Sequence, residues 1–113
     1  MSTKPSEIIA KMEDLLRDPK RWTKGAAARD FRGRPVLADS PAATCWCVLG
    51  AFLKSGGQLG DLADRSLDEA APPGVTECNT YVDFNDRKKT THDDIMAHLA
   101  RAKQKALEME AQS

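Results

Sequence analysis

The chain has 113 residues, 41% of them apolar and 30% charged, and its 17 Lys and Arg balance 17 Asp and Glu. That length suits a single domain over residues 1–113, with an ordered core at about 5–108, and can bury a real core without disulfides or a metal. A formal net charge of zero removes any whole-molecule attraction to nucleic acid or a membrane surface; an odd cysteine count of three, and no apolar run behind residues 1–4, predict a reducing, cytoplasmic setting with free thiols.

Residues 5–17 have Ile8, Met12 and Leu15 at helical spacing, with Ile9 and Leu16 beside them, and predict a first helix that ends at Asp18-Pro19. Residues 20–38 change character. Gly25, Gly33 and Pro35 break any helical pattern, and Phe31-Arg32-Gly33-Arg34 reads as a turn between short extended pieces at about 27–31 and 34–37. This arm, a small β-hairpin or irregular segment, is basic: Lys20, Arg21, Lys24, Arg29, Arg32 and Arg34 stand against Asp30 alone.

Residues 40–57 are the most apolar stretch. Ser40 suits an N-cap, Pro41 the first helical position, and Ser55-Gly56-Gly57 a stop. Between them only Thr44 and Lys54 are clearly polar, so the pattern predicts a helix over 41–55 buried on all sides. It is too short to cross a bilayer, which takes about 20 apolar residues.

A weaker helix is expected at about 60–70, with Asp61 as cap, Asp64 as its capping-box partner and Leu59, Leu62, Ala63, Leu67 and Ala70 as the apolar face. Pro72-Pro73-Gly74 stops it. Val75, Cys78, Tyr81 and Val82 fit a short helix over 75–84, the favoured reading, although the Thr, Tyr and Val content also fits a strand, and 85–89 reads as a polar loop. Thr91 and Asp94 have capping-box spacing and open a last helix with Ile95, Leu99, Ala102 and Ala106 inward and both His92 and His98 on its polar side or end. The fold class that emerges is mostly α: four to five helices around the central helix 41–55, with a small β-hairpin or irregular arm at 20–38.

The segments Arg21-Trp22-Thr23-Lys24-Gly25, Ala28-Arg29-Asp30, Trp46-Cys47-Val48-Leu49-Gly50-Ala51-Phe52 and Phe84-Asn85-Asp86, followed by Thr91 opening the last helix, carry a resemblance over roughly 5–105. The chain resembles a family of small bacterial and phage proteins of unknown function, whose members share a Trp-Thr-x-Gly segment, a Cys-x-Leu-Gly-Ala helix and an Asn-Asp loop before the last helix. The resemblance implies a bacterial or phage origin and no mechanism.

Cys47, with His92 or His98 and Asn85, supplies the residue types of a cysteine-nucleophile triad, which needs an accessible thiolate. Flanked by Trp46, Val48 and Leu49, Cys47 instead reads as core. Cys45, Cys47, Cys78 and His92 are candidate zinc ligands, but residues two apart on a helix point about 200° apart. No metal or cofactor is therefore expected. The basic arm with Trp22 and Phe31 can hold phosphate groups, with Arg21 and Arg29 as bidentate donors, or can pair with the acidic segment 61–86. Asn85 and Asp86 can hold a ligand hydroxyl or amine, or can bond neighbouring backbone groups and shape the turn, and the resemblance implies that Asn85 ties its loop to 21–25.

The leading expectation is a non-enzymatic accessory or binding protein whose working surface joins Arg21, Trp22, Arg29, Asn85 and Asp86. Its partner would be a nucleotide or other phosphate-bearing ligand, or a protein, with no membrane association. The alternatives are an enzyme using Cys47 as nucleophile, and an obligate homo-oligomeric structural module whose core is completed across a subunit interface.

Overall fold

The apolar spacing near the start of the chain gives helix α1 (Pro5–Leu16) in the computed structural model, which describes residues 4–71 and 80–112. Pro5 opens the helix where its missing N–H costs nothing, and Ile8, Ile9, Met12 and Leu16 are buried. Asp18 then accepts a hydrogen bond from Lys20 N at 2.9 Å and starts one 3₁₀ turn, Pro19–Arg21.

The expected hairpin is present. Strand β1 (Ala28–Arg29) pairs antiparallel with β2 (Pro35–Val36), in the register Ala28 to Val36 and Arg29 to Pro35. Asp30 shapes its turn: one carboxylate oxygen accepts from Arg32 N and Arg34 N, both at 2.9 Å, and the other from Arg34 Nε at 2.9 Å. These bonds from Arg34 and Arg32 hold the Asp30 carboxyl below its usual range against an opposing cost of burial.

The predicted helix 41–55 is corrected by the structure. Its first half is not helical. Cys45–Trp46 form strand β3, which pairs antiparallel with the free side of β1, and helix α2 is only Val48–Lys54. Ser40 does accept a backbone hydrogen bond, from Ala42 N at 3.1 Å, but it shapes a turn with no helix behind it. The reason is tertiary. The two-stranded hairpin leaves one edge of β1 open, and pairing 45–46 there satisfies backbone groups that a helix extension would leave unused. The true N-cap is Cys47, whose sulfur accepts from Gly50 N at 3.3 Å.

Helix α3 (Leu62–Ala70) starts at Asp61, which accepts from Asp64 N at 2.8 Å. Asp64 returns its bond to Gly60 N rather than to the cap residue itself, so the capping box is offset by one position. Leu59 and Leu62, expected on the apolar face, are exposed. The proposed stop at 72–74 and the first part of the proposed helix 75–84 lie outside the described residues. Helix α4 runs Thr80–Asp86, so Asn85 and Asp86 close a helix and do not sit in a loop. Helix α5 (His92–Ala111) has the Thr91–Asp94 capping box as expected. His98, expected on its polar side, is fully buried, because position 98 falls three after Ile95 and one before Leu99, within the apolar stripe.

The described residues form a compact globule of five α-helices and a three-stranded antiparallel sheet in the order β2-β1-β3, mostly α with a small β arm. Helix α1 lies along α5: Ser6 N and Oγ donate to Glu110 Oε1 at 2.8 and 2.7 Å, and Lys103 pairs with Glu13 at 2.6 Å. Helix α2 is central, with Val48, Ala51 and Phe52 wholly buried. Gly50 lets the chain of the arm cross it closely: a Cβ there would lie 1.8 Å from Ala27 O. Among the described residues no helix is long and apolar enough to cross a membrane.

Candidate functional site

Of the five residues expected to form a working surface, three come together. Trp22, Asn85 and Asp86 meet in one hydrogen-bonded buckle between the basic arm and the end of α4. Asn85 is fully buried, and its amide uses every bond it can form there. Its Oδ1 accepts from Trp22 Nε1 at 2.7 Å and from Val48 N, the first residue of α2, at 3.1 Å. Its Nδ2 donates to Thr23 O at 3.1 Å and to Asp86 Oδ1 at 2.9 Å. Asp86 Oδ1 also accepts from Gly25 N at 3.0 Å, where Gly25 takes a positive φ of 81°. One amide thus joins the arm, α2 and α4.

Arg29 is committed to the arm itself. Its Nε donates to Thr23 Oγ1 at 3.1 Å, Nη1 to Gly33 O at 3.0 Å and Nη2 to Lys24 O at 3.0 Å. Arg21 is exposed, and its guanidinium has no hydrogen-bond partner among the described residues. Lys24 lies over the Trp22 ring at 5.4 Å from its centroid and reaches across to the carbonyls of Arg87 and Lys88, the latter at 3.4 Å.

The groups of the cysteine triad are each engaged elsewhere. Cys47 is buried, accepts from Gly50 N, and burial pushes its thiol up, away from the thiolate that catalysis needs. His92 Nε2 lies 2.6 Å from Leu16 O, and His98 Nε2 lies 2.8 Å from Leu67 O. Because a carbonyl only accepts, His98 carries its proton on Nε2, and its buried Nδ1 has no partner among the described residues. Burial lowers the His98 pKa to about 4. The helical argument against Cys45 and Cys47 sharing an ion does not apply to a strand; Cys78 lies outside the described residues, which contain no group of three metal-ligating side chains.

A groove of about 500 Å³ runs between the α4–α5 turn and the first half of α5. Phe84 and Ala97 supply apolar walls, and Arg87, Lys88, Lys89 and Arg101 supply four cations. Asp94 is the one carboxylate among the described residues of the groove, and its Oδ2 already accepts from Thr91 N at 2.9 Å within the capping box. Arg101 uses Nε to bond Ala70 O, at the end of α3, at 3.2 Å. Lys88, Lys89 and the Nη groups of Arg101 have no hydrogen-bond acceptor among the described residues.

Sequence reasoning did not single these residues out: 87–89 reads as an ordinary polar loop, and Arg101 as one of several charges on a solvated helix face. The signal available was three consecutive cations directly after the acidic stretch 61–86.

A family model described as a family of unknown function (DUF6197) matches residues 1–105, and the chain belongs to that family. No curated protein and no solved structure matches it.

Proposed function

We propose that this member of a family without an assigned activity is a non-enzymatic binding protein for a small phosphate-bearing ligand, held in the groove between the α4–α5 turn and α5. The observation that carries the proposal is the charge of that groove among the described residues, where Lys88, Lys89 and Arg101 stand with Arg87 against one carboxylate already engaged in a helix cap. Its volume of about 500 Å³ falls within the range of small-molecule sites. Lysine ammonium groups and an arginine fork are the donors that phosphate oxygens select, and apolar walls at Phe84 and Ala97 suit a ligand with an organic part, such as a nucleotide. Arg21, exposed on the arm, is the sequence-derived candidate whose side chain has no hydrogen-bond partner among the described residues; Trp22, Arg29, Asn85 and the exposed Asp86 each take part in the hydrogen bonds of the scaffold.

The test is a melting-temperature screen against nucleotides, short nucleic acids and inorganic pyrophosphate, followed by calorimetry. A ligand at a hundredfold excess over its Kd raises the melting temperature by roughly ten degrees for a domain of this size. Lys88→Ala, Lys89→Ala and Arg101→Ala should each weaken binding, and Arg21→Ala should show whether the arm takes part. No shift with any phosphate compound sinks the proposal.

A further inference from the structure

We propose that Lys24 is a positioning residue for the basic groove: its ammonium fixes the backbone turn from which Lys88 and Lys89 project. This inference rests on the binding function proposed above.

The turn between α4 and α5 is short and lacks regular structure. Arg87 O closes it by accepting from Thr90 N at 3.1 Å, and Thr90 Oγ1 donates to Phe84 O at 2.6 Å. Arg87 O accepts a second bond from Lys24 Nζ, and Lys88 O lies 3.4 Å from the same nitrogen. Two successive carbonyls of the turn therefore face one cation that comes from 63 and 64 positions earlier in the chain. A bond from a charged donor to a carbonyl is stronger than a neutral one.

Lys24 is itself held on every side. Its own carbonyl accepts from Arg29 Nη2 at 3.0 Å, and the next residue, Gly25, donates to Asp86 Oδ1 at 3.0 Å. Its ammonium rests over the Trp22 ring, whose indole is pinned to Asn85. The arm bonds the turn without lining the groove: Lys24 is absent from the groove walls.

A cation placed this way acts on the ligand through the turn. With Lys24 in place, the carbonyls of Arg87 and Lys88 are held toward its ammonium, which fixes the backbone that carries the groove-lining Lys88 and Lys89. Coupling of this kind is reciprocal, so a ligand that moves the turn also changes the surroundings of the Lys24–Trp22 pair. Trp22 is therefore a built-in reporter of occupancy.

The experiment compares the wild type with Lys24→Met, which keeps the aliphatic stem, Lys24→Arg, which keeps charge and donors, and Trp22→Phe, which isolates the emission of Trp46. Hydrogen exchange is read at the Thr90 amide and at α1 as an internal control. Inorganic pyrophosphate is the binding probe, followed by calorimetry and by tryptophan emission. Lys24→Met should speed exchange at Thr90 while protection in α1 persists, weaken pyrophosphate by roughly tenfold, the scale of one lost charged hydrogen bond, and abolish the emission change that wild type shows on binding. Lys24→Arg should recover most of each, and Trp22→Phe should lack the emission change while still binding. Unchanged Thr90 exchange in Lys24→Met overturns the inference whether or not anything binds. Equal pyrophosphate affinity in wild type and Lys24→Met overturns it too. Faster Thr90 exchange with no pyrophosphate binding by wild type upholds the positioning role and counts against the groove as a phosphate site.

Discussion

Trp22 and Asn85, 63 positions apart, are joined by an indole-to-amide hydrogen bond of 2.7 Å that closes the basic arm onto the last turn of α4. The same Asn85 oxygen accepts from Val48 N, so three segments share one side chain. Asn85→Ala leaves the Trp22 indole, Val48 N and Thr23 O without their partner in a buried place. We expect a loss of about 3 kcal/mol, read as a lower urea midpoint, with Trp22→Phe costing only about 1 kcal/mol because it removes a single bond. Equal losses in the two variants would show that the indole bond alone carries the buckle.

Gly50 is expected to tolerate nothing larger than a hydrogen atom. A Cβ would lie 1.8 Å from Ala27 O and 2.7 Å from its carbonyl carbon, both backbone atoms that no rotamer change can move. Gly50→Ala should cost about 3 kcal/mol or more, despite the better helix propensity of alanine. A urea midpoint equal to that of wild type would mean that the arm and α2 are further apart than described.

His98 makes stability depend on pH in a defined direction. Buried and neutral, and with Arg101 adding a small repulsion to the charged form, it has a folded pKa of about 4 against an ordinary 6.5. The unfolded chain therefore takes up its proton first. Stability is intact above pH 6.5 and falls as the pH drops from there to about 4, by an amount on the order of 3 kcal/mol at about 1.4 kcal/mol per unit. Asp30 and Glu110, held below their ordinary values by their hydrogen bonds, add their losses only lower, in the carboxylate range. Urea midpoints at pH 7.5 and 5 should differ clearly in wild type and much less in His98→Gln.

Cys47 should resist alkylation in the native protein. It is 4% exposed and its thiol is pushed up by burial, whereas Cys45 is partly open to solvent. Iodoacetamide with peptide mapping should label Cys45 first and Cys47 only in denaturant. Rapid native labelling of Cys47 would revive it as a nucleophile.

The helices were legible where local chemistry decides them. The Thr91–Asp94 box, the Asp61 cap and the periodicity of Ile8, Met12 and Ile95 are short-range signals, and each lies where the spacing places it. Cys45 and Trp46 were misread because nothing local marks them as a strand. Their conformation is set by the open edge of β1, where Cys45 meets Arg29, 16 residues earlier, and Trp46 meets Ala28, 18 residues earlier. The hairpin itself was readable from Gly33 and Pro35, and so was the tie between Asn85 and residues 21–25. The groove was not, because it forms where α5 lies beside the α4–α5 turn, and a run such as Arg87-Lys88-Lys89 looks the same in sequence whether it lines a concavity or faces open water.

The pairing of α1 with α5 sets an order of events during synthesis. Ile8, Ile9, Met12 and Leu16 leave the ribosome first, yet the surface that helps cover them comes from residues near the other end of the described chain. At the usual pace of translation, a delay of roughly five to twenty seconds separates the two. Through that interval the nascent chain carries an apolar helix that α2 and α3 can cover only in part, so messages cut short before α5 should yield products that aggregate or recruit chaperones rather than partly folded, soluble fragments.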